Sequence, residues 1–139
     1  MVPGRTATGA ELIDDTYNAN PDSVLAAIDV LAARSGRRIL VLGDMGEVGA
    51  QGPAFHREVG LHARASGIDS LLALGELSRE AVTAFGDGGR HHDSLEALVG
   101  ALQGQDLAGA VMLVKGSRFM RMERVVDALK DEPAREGAH

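Results

Sequence analysis

The sequence predicts a doubly wound α/β domain, a mostly parallel sheet of five or six strands with helices on both faces. Three observations carry that prediction. Short apolar runs alternate with stretches of helical period along the chain. The runs are apolar throughout rather than at every second residue, as in strands buried on both faces. Glycine is abundant, 18 of 139 residues, and it recurs where the apolar runs end. A chain of this length fits one domain with a core of its own.

The elements follow in order. Glu11–Tyr17 reads as a strand that turns polar at its carboxyl end, with Arg5–Ala7 pairing antiparallel to it across Thr8-Gly9. Asn20-Pro21 reads as an N-cap followed by proline at the first helical position, where its missing N–H costs nothing. Val24, Ile28 and Leu31 share one face of that helix, which runs to about Arg34, and Gly36 supplies its C-cap. Arg38–Leu42 is a strand ending in Gly43-Asp44, and the next helix begins near Pro53 with Phe55, Val59 and Ala63 on one face. Leu71–Leu74 is a strand ending in Gly75, followed by a helix from about Leu77 to Phe85. Gly88–His92 is a short strand, with His91-His92 read as a turn. Ser94 caps a helix carrying Leu95, Leu98, Val99 and Leu102. Ala110–Val114 is the last strand, passing into Lys115-Gly116-Ser117, and Val125, Val126 and Leu129 mark the last helix. The polar tail from Asp131 is expected to fray. The alternation makes βαβ units and so a Rossmann-like sheet, in which ligands bind beyond the carboxyl ends of the strands.

Composition narrows the function. Acids outnumber bases 20 to 14, a net charge of −6. That disfavours a broad nucleic-acid surface, which needs clustered Lys and Arg. Aromatic residues are 3%, too few to supply stacking platforms. There is no cysteine, which removes disulfides, thiolate metal sites and cysteine nucleophiles. No apolar run is long enough to span a bilayer, and Met1-Val2-Pro3-Gly4-Arg5 lacks the apolar core of a signal peptide, so a cytoplasmic protein is expected.

Three polar clusters stand at strand ends. Asp14-Asp15-Thr16-Tyr17-Asn18-Ala19-Asn20-Pro21 is the densest. A carboxylate there can accept ribose hydroxyls or hold a metal-bound water, and the amides can bind a purine edge or a peptide carbonyl; the plainer reading is that Asn20 caps a helix and Asn18 shapes a turn. Gly43-Asp44-Met45-Gly46-Glu47-Val48-Gly49 offers two acids and glycines that let backbone approach a ligand, or else a flexible solvent loop. It is not a phosphate loop, because the Lys-Ser/Thr ending is absent. His56 beyond it reads as a packing or surface histidine, and His91-His92 is too isolated for a metal site. Lys115-Gly116-Ser117-Arg118 joins the last strand to the last helix, where a helix start, a hydroxyl and two cations suit a carboxylate or phosphate; the alternative is a capped helix with solvated bases. Met120 and Met122 read as packing.

In order and spacing, these three clusters, with His56 and with Phe119-Met120 extending the third, resemble the C-terminal domain of the Mur ligases of peptidoglycan synthesis. The resemblance runs from about Arg5 to Leu129, a single domain of about 5–130 with a polar tail at 131–139. It implies a three-domain enzyme whose N-terminal and central ATPase domains lie outside this chain, so the isolated domain is expected to be inactive and to carry no catalytic residue or metal ligand. The first cluster points to the member that adds D-Ala-D-Ala to UDP-MurNAc-tripeptide. The implied reaction is ATP-dependent amide formation through an acyl phosphate, with ATP and Mg2+ bound mainly by the central domain. By the resemblance, Asp15 and Asn18 contact ATP, Asp15 at the ribose. Tyr17, Asn20, Asp44, Glu47, Lys115, Ser117 and Arg118 line the substrate side, the last three facing the dipeptide or the transferred phosphate. The implied partners are the two substrates and the enzyme's other domains, with no nucleic acid and no membrane span. Two other readings compete: a phosphoacceptor receiver-like domain and a stand-alone nucleotide-binding domain. A receiver requires an aspartate at the end of the third parallel strand, where this sequence reads Leu74-Gly75-Glu76.

Overall fold

The computed structural model describes residues 2–5, 9–15, 21–45, 49–116 and 120–129. The chain forms β1 (Val2–Arg5), β2 (Glu11–Asp15), α1 (Pro21–Ala32), β3 (Arg38–Gly43), a 3-10 turn (Gly49–Gln51), α2 (Gly52–Ala65), β4 (Ser70–Leu74), α3 (Ser78–Phe85), β5 (Gly89–His92), α4 (Leu95–Gln103), β6 (Val111–Lys115) and α5 (Glu123–Leu129). One six-stranded sheet has the order β1-β2-β6-β3-β4-β5. β1 runs antiparallel to β2, and the other five strands are mutually parallel. The expected fold class is therefore the observed one.

Each central strand sends alternate side chains to opposite faces, and both faces are apolar. Ile13, Leu40, Leu42, Leu71, Val111 and Leu113 meet α1, α2 and α3 on one side. Leu12, Ile39, Val41, Leu72, Met112 and Val114 meet α4 and α5 on the other. This two-sided burial is why the strands read as continuous apolar runs. Each fully buried Leu or Ile contributes roughly 1.5–3 kcal/mol. Helices α2 and α3 pack so closely that a Cβ on Gly60 would lie 2.2 Å from the Ala81 carbonyl oxygen.

The structure refines four local expectations. The expected antiparallel partner of β2 is present as Val2–Arg5, with Arg5 opposite Glu11; Thr6 and Ala7 of the expected Arg5–Ala7 lie outside the described residues. Pro3 is tolerated there because β1 is an edge strand, where one ladder donor can be lost. His91 and His92 lie in β5 rather than in a turn, opposite Ala73 and Leu74. Helix α1 ends at Ala32, two residues before Arg34, and Gly36 takes up the turn at φ +91°. Helix α5 begins at Glu123, so Lys115-Gly116 does not lead directly into it. Arg121, at φ +53°, breaks helical geometry just before.

In chain order the parallel strands lie 1-5-2-3-4: the last strand is inserted between the first and the second. Receiver domains share the 2-1-3-4-5 order of flavodoxin-like sheets. The receiver reading is thus excluded by topology as well as by the residues ending β4.

Candidate functional site

The insertion of β6 creates the switch point. The connections after β2 and β3 lead to helices on one face, whereas the connection after β6 leads to α5 on the other. Loops that part to opposite faces leave a crevice at the carboxyl ends of adjacent strands. Asp15 is the register partner of Lys115, and Lys115 is also the partner of Leu42. Three strand ends thus form one row, with Gly43-Asp44 and Gly116 just beyond it. The three polar clusters, separated by up to about a hundred residues of sequence, begin at this row.

Among the predicted site residues, Asp15, Asp44 and Lys115 fall within the described residues. Tyr17, Asn18, Asn20, Glu47, Ser117 and Arg118 lie outside them. Asp15 occupies the last position of β2.

Asp44 is buried, and both carboxylate oxygens accept backbone hydrogen bonds from the start of α3, from Leu77 N–H at 3.1 Å and Ser78 N–H at 2.8 Å. A carboxylate at a helix N-terminus is matched to the free amides and the dipole there. The contact requires Gly75. That residue has φ +113°, and a Cβ on it would lie 2.4–2.6 Å from the Asp44 carboxylate atoms. Asp44 therefore joins the β3 loop to α3, a task its place among glycines does not advertise.

His56 is fully buried in the first turns of α2. Its Nε2 accepts from Met45 N–H at 3.0 Å, and its Nδ1–H donates to the Gly52 carbonyl at 2.6 Å. The Phe55 ring stands edge-on to it, with centroids 5.7 Å apart. The packing reading of this histidine is correct, and both ring nitrogens are used as well. Sequence offers a signal for it: Gly52, His56, Val59 and Ala63 recur at helical spacing on the buried stripe of α2.

Lys115 is fully buried and partnered within the chain, so it is not a solvated base. The glycines at the ends of β3 and β6 make room for Met122. A Cβ on Gly43 would lie 2.7 Å from its sulfur, and one on Gly116 would lie 2.6 Å from its Cγ. Met122 is buried, as expected of a packing residue. Arg124 fixes the turn before α5 through the carbonyls of Met120 and Arg121, each at 3.0 Å.

Farther along the same rim, His91 Nε2 meets the Gly75 carbonyl at 2.9 Å, and its Nδ1 lies 3.7 Å from Asp93, which also faces Arg79. Burial pushes the His92 imidazole below its ordinary value, and the neighbouring His91 and Arg90 add to that effect. Among the described residues no group of three or more His, Asp or Glu is placed to hold a metal ion. Two cavities of about 340 and 360 Å3 lie at the opposite rim, lined in part by Glu11 and Arg34 and by Arg37 and Arg90. No described helix is long and apolar enough to cross a membrane.

Residues 2–118 match the family described as Mur ligase, glutamate ligase domain. This chain belongs to the Mur ligase family. It is 44% identical over 137 residues to the UDP-N-acetylmuramoyl-tripeptide–D-alanyl-D-alanine ligase of Escherichia coli, an alignment covering 94% of this chain and 30% of that protein. The corresponding ligase of Bacillus subtilis is 33% identical over 136 residues, covering 93% and 30%. Among solved structures, the MurF ligase of Thermotoga maritima in complex with ADP superposes with a TM-score of 0.77 at 30% identity, covering 92% of this chain and 30% of that one. A MurF of Acinetobacter baumannii gives 0.78 at 31%, covering 91% and 29%. The Mur ligase chain described here thus spans about a third of the length of the curated relatives it matches.

Proposed function

We propose that this chain serves as the C-terminal part of the ATP-dependent ligase that joins D-Ala-D-Ala to UDP-MurNAc-tripeptide. One observation carries the reading: the three clusters that resemble this ligase begin at a single row of strand ends at the switch point, Asp15, Lys115 and Leu42. The names of its relatives supply the substrates. In the proposed reaction the tripeptide carboxylate takes the terminal phosphoryl group of ATP and ADP leaves; the neutral dipeptide amine then attacks the acyl carbon, phosphate leaves as the amide bond forms, and the amine's proton passes to solvent. ATP-bound Mg2+ would supply charge neutralisation at the transferred phosphate; no described cluster here is suited to hold it.

The work of this domain is to orient substrates and exclude water. Asp15, at the end of β2, is assigned to the ATP ribose. Lys115, Ser117 and Arg118 are assigned to the dipeptide carboxylate or the transferred phosphate, and Tyr17, Asn18, Asn20 and Glu47 to the crevice walls. Asp44 enters this scheme through the loop it holds. Holding an amine and an acyl phosphate in near-attack geometry removes most of the entropic cost of their encounter, and closing over them keeps water from the acyl phosphate. The test is phosphate release by the ligase that contains this chain. Turnover should require ATP, UDP-MurNAc-tripeptide and D-Ala-D-Ala together. Turnover indifferent to D-Ala-D-Ala would overturn the assignment.

A further inference from the structure

We infer that His56 is a positioning residue of the crevice, a staple that ties together the two ends of the β3–α2 connection. This rests on the proposed function for what the connection touches; the staple itself rests on geometry. His56 accepts from the N–H of Met45, where the connection leaves β3, and donates to the carbonyl of Gly52, where it enters α2. Asp44, the residue before Met45, is held from the other side by the amides of Leu77 and Ser78. Two consecutive residues are thus fixed by two different helices. Closing a loop at its base removes conformations that the connection would otherwise sample.

A histidine is a costly way to fill an apolar stripe. Phe55, Val59 and Ala63 supply that stripe without polar atoms. Two buried ring nitrogens are tolerated only when both are hydrogen-bonded, and here both partners are backbone groups of the connection they close. The pairing also selects one neutral tautomer, with the proton on Nδ1, because Nε2 must accept. The connection carries Glu47 between the two tied ends and follows the strand that neighbours Lys115. Fixing the base at Met45 and Gly52 limits the paths open to the connection beside that strand end.

Two substitutions separate positioning from packing. His56→Phe fills the space and removes both polar contacts; His56→Gln keeps an acceptor within reach of Met45 N–H. In the 139-residue chain, amide exchange at Met45 should quicken at least about tenfold in His56→Phe and stay near wild type in His56→Gln. Nitrogen chemical shifts of wild-type His56 at neutral pH should show a protonated Nδ1 and an unprotonated Nε2. In the ligase containing this chain, His56→Phe should raise the KM for D-Ala-D-Ala about tenfold and leave that for UDP-MurNAc-tripeptide within about twofold, and His56→Gln should recover most of the loss. Equal kinetic losses in both variants, tracking a lowered Tm, would reduce His56 to a structural residue. Unchanged kinetics in His56→Phe despite faster exchange would overturn the positioning role. If His56→Phe does not fold, the opposite tautomer in the wild type, or a tenfold loss in His56→Gln, overturns it. A wild-type ligase without D-Ala-D-Ala-dependent turnover would refute the proposed function instead, and the staple would then stand or fall on the exchange and tautomer data.

Discussion

At the amino ends of the strands, Arg34 pairs with Glu11, Arg37 with Gln105 and Arg38 with Asp69, and each pair has at least one exposed member. The carboxyl ends carry exposed pairs too, Arg79 with Glu76 and Asp93, but there buried polar groups are added to them. The buried polar or charged residues among the described ones are Asp44, His56, Ser78 and Lys115, and all four belong to strand ends or helix starts on that rim. Exposed pairs trade water for one another and gain little. Buried polar groups are costly unless satisfied. The described partners of Asp44 and His56 are backbone groups of a neighbouring loop or helix start. Surface charge laces both rims, and the carboxyl rim alone adds buried polar groups that hold its loops.

Substitutions at the two rims should therefore differ in size. The largest effect is expected for Asp44→Ala, which leaves two amides at the start of α3 without their acceptor. It should cost roughly 2–4 kcal/mol in denaturant unfolding. Gly75→Ala should cost a similar amount, because its Cβ collides with the same carboxylate and its φ of +113° disfavours a side chain. The double variant should lose clearly less than the sum. Full additivity would mean that Gly75 does not serve Asp44. At the other rim, Arg34→Ala should cost no more than about 1 kcal/mol and become smaller still in high salt. A loss as large as that of Asp44→Ala would erase the distinction between the rims.

The smallest effect concerns His92. Its folded form holds a proton less tightly than the unfolded chain does. The unfolded chain therefore takes up protons first as pH falls below about 6.5, and stability falls with it. Unfolding measured at pH 7 and again below pH 6 should show a shallower loss in His92→Gln than in the wild type. An identical slope in both would show that His92 does not contribute.

Legibility in the sequence follows the same division. Strands β3, β4 and β6 were readable because burial on both faces leaves only apolar residues, and α2 because Phe55, Val59 and Ala63 repeat at helical spacing. The edges were less readable. β1 contains Pro3 and Gly4, and β5 is Gly89-Arg90-His91-His92; both lie at the sheet margin, where composition is less constrained. At the site, the three strand ends could be named from sequence because polar residues interrupt apolar runs. The task of Asp44 could not, since its partners lie 33 and 34 residues away and become neighbours only through β3–β4 pairing. The burial of Lys115 was hidden for a related reason. A lysine at a strand end reads as solvated until β2 and β3 are known to flank it.

Lys115 stands at the centre of the row, so its replacement tests the crevice most directly. In the proposed ligase containing this chain, Lys115→Met keeps the volume and removes the cation. Steady-state kinetics should show the KM for D-Ala-D-Ala raised about tenfold or more, with the KM for UDP-MurNAc-tripeptide nearly unchanged, as expected when a charge-assisted contact worth roughly 1.5–3 kcal/mol is lost on one substrate. Equal changes for both substrates, or none for either, would contradict a dipeptide site at the meeting of β2, β6 and β3.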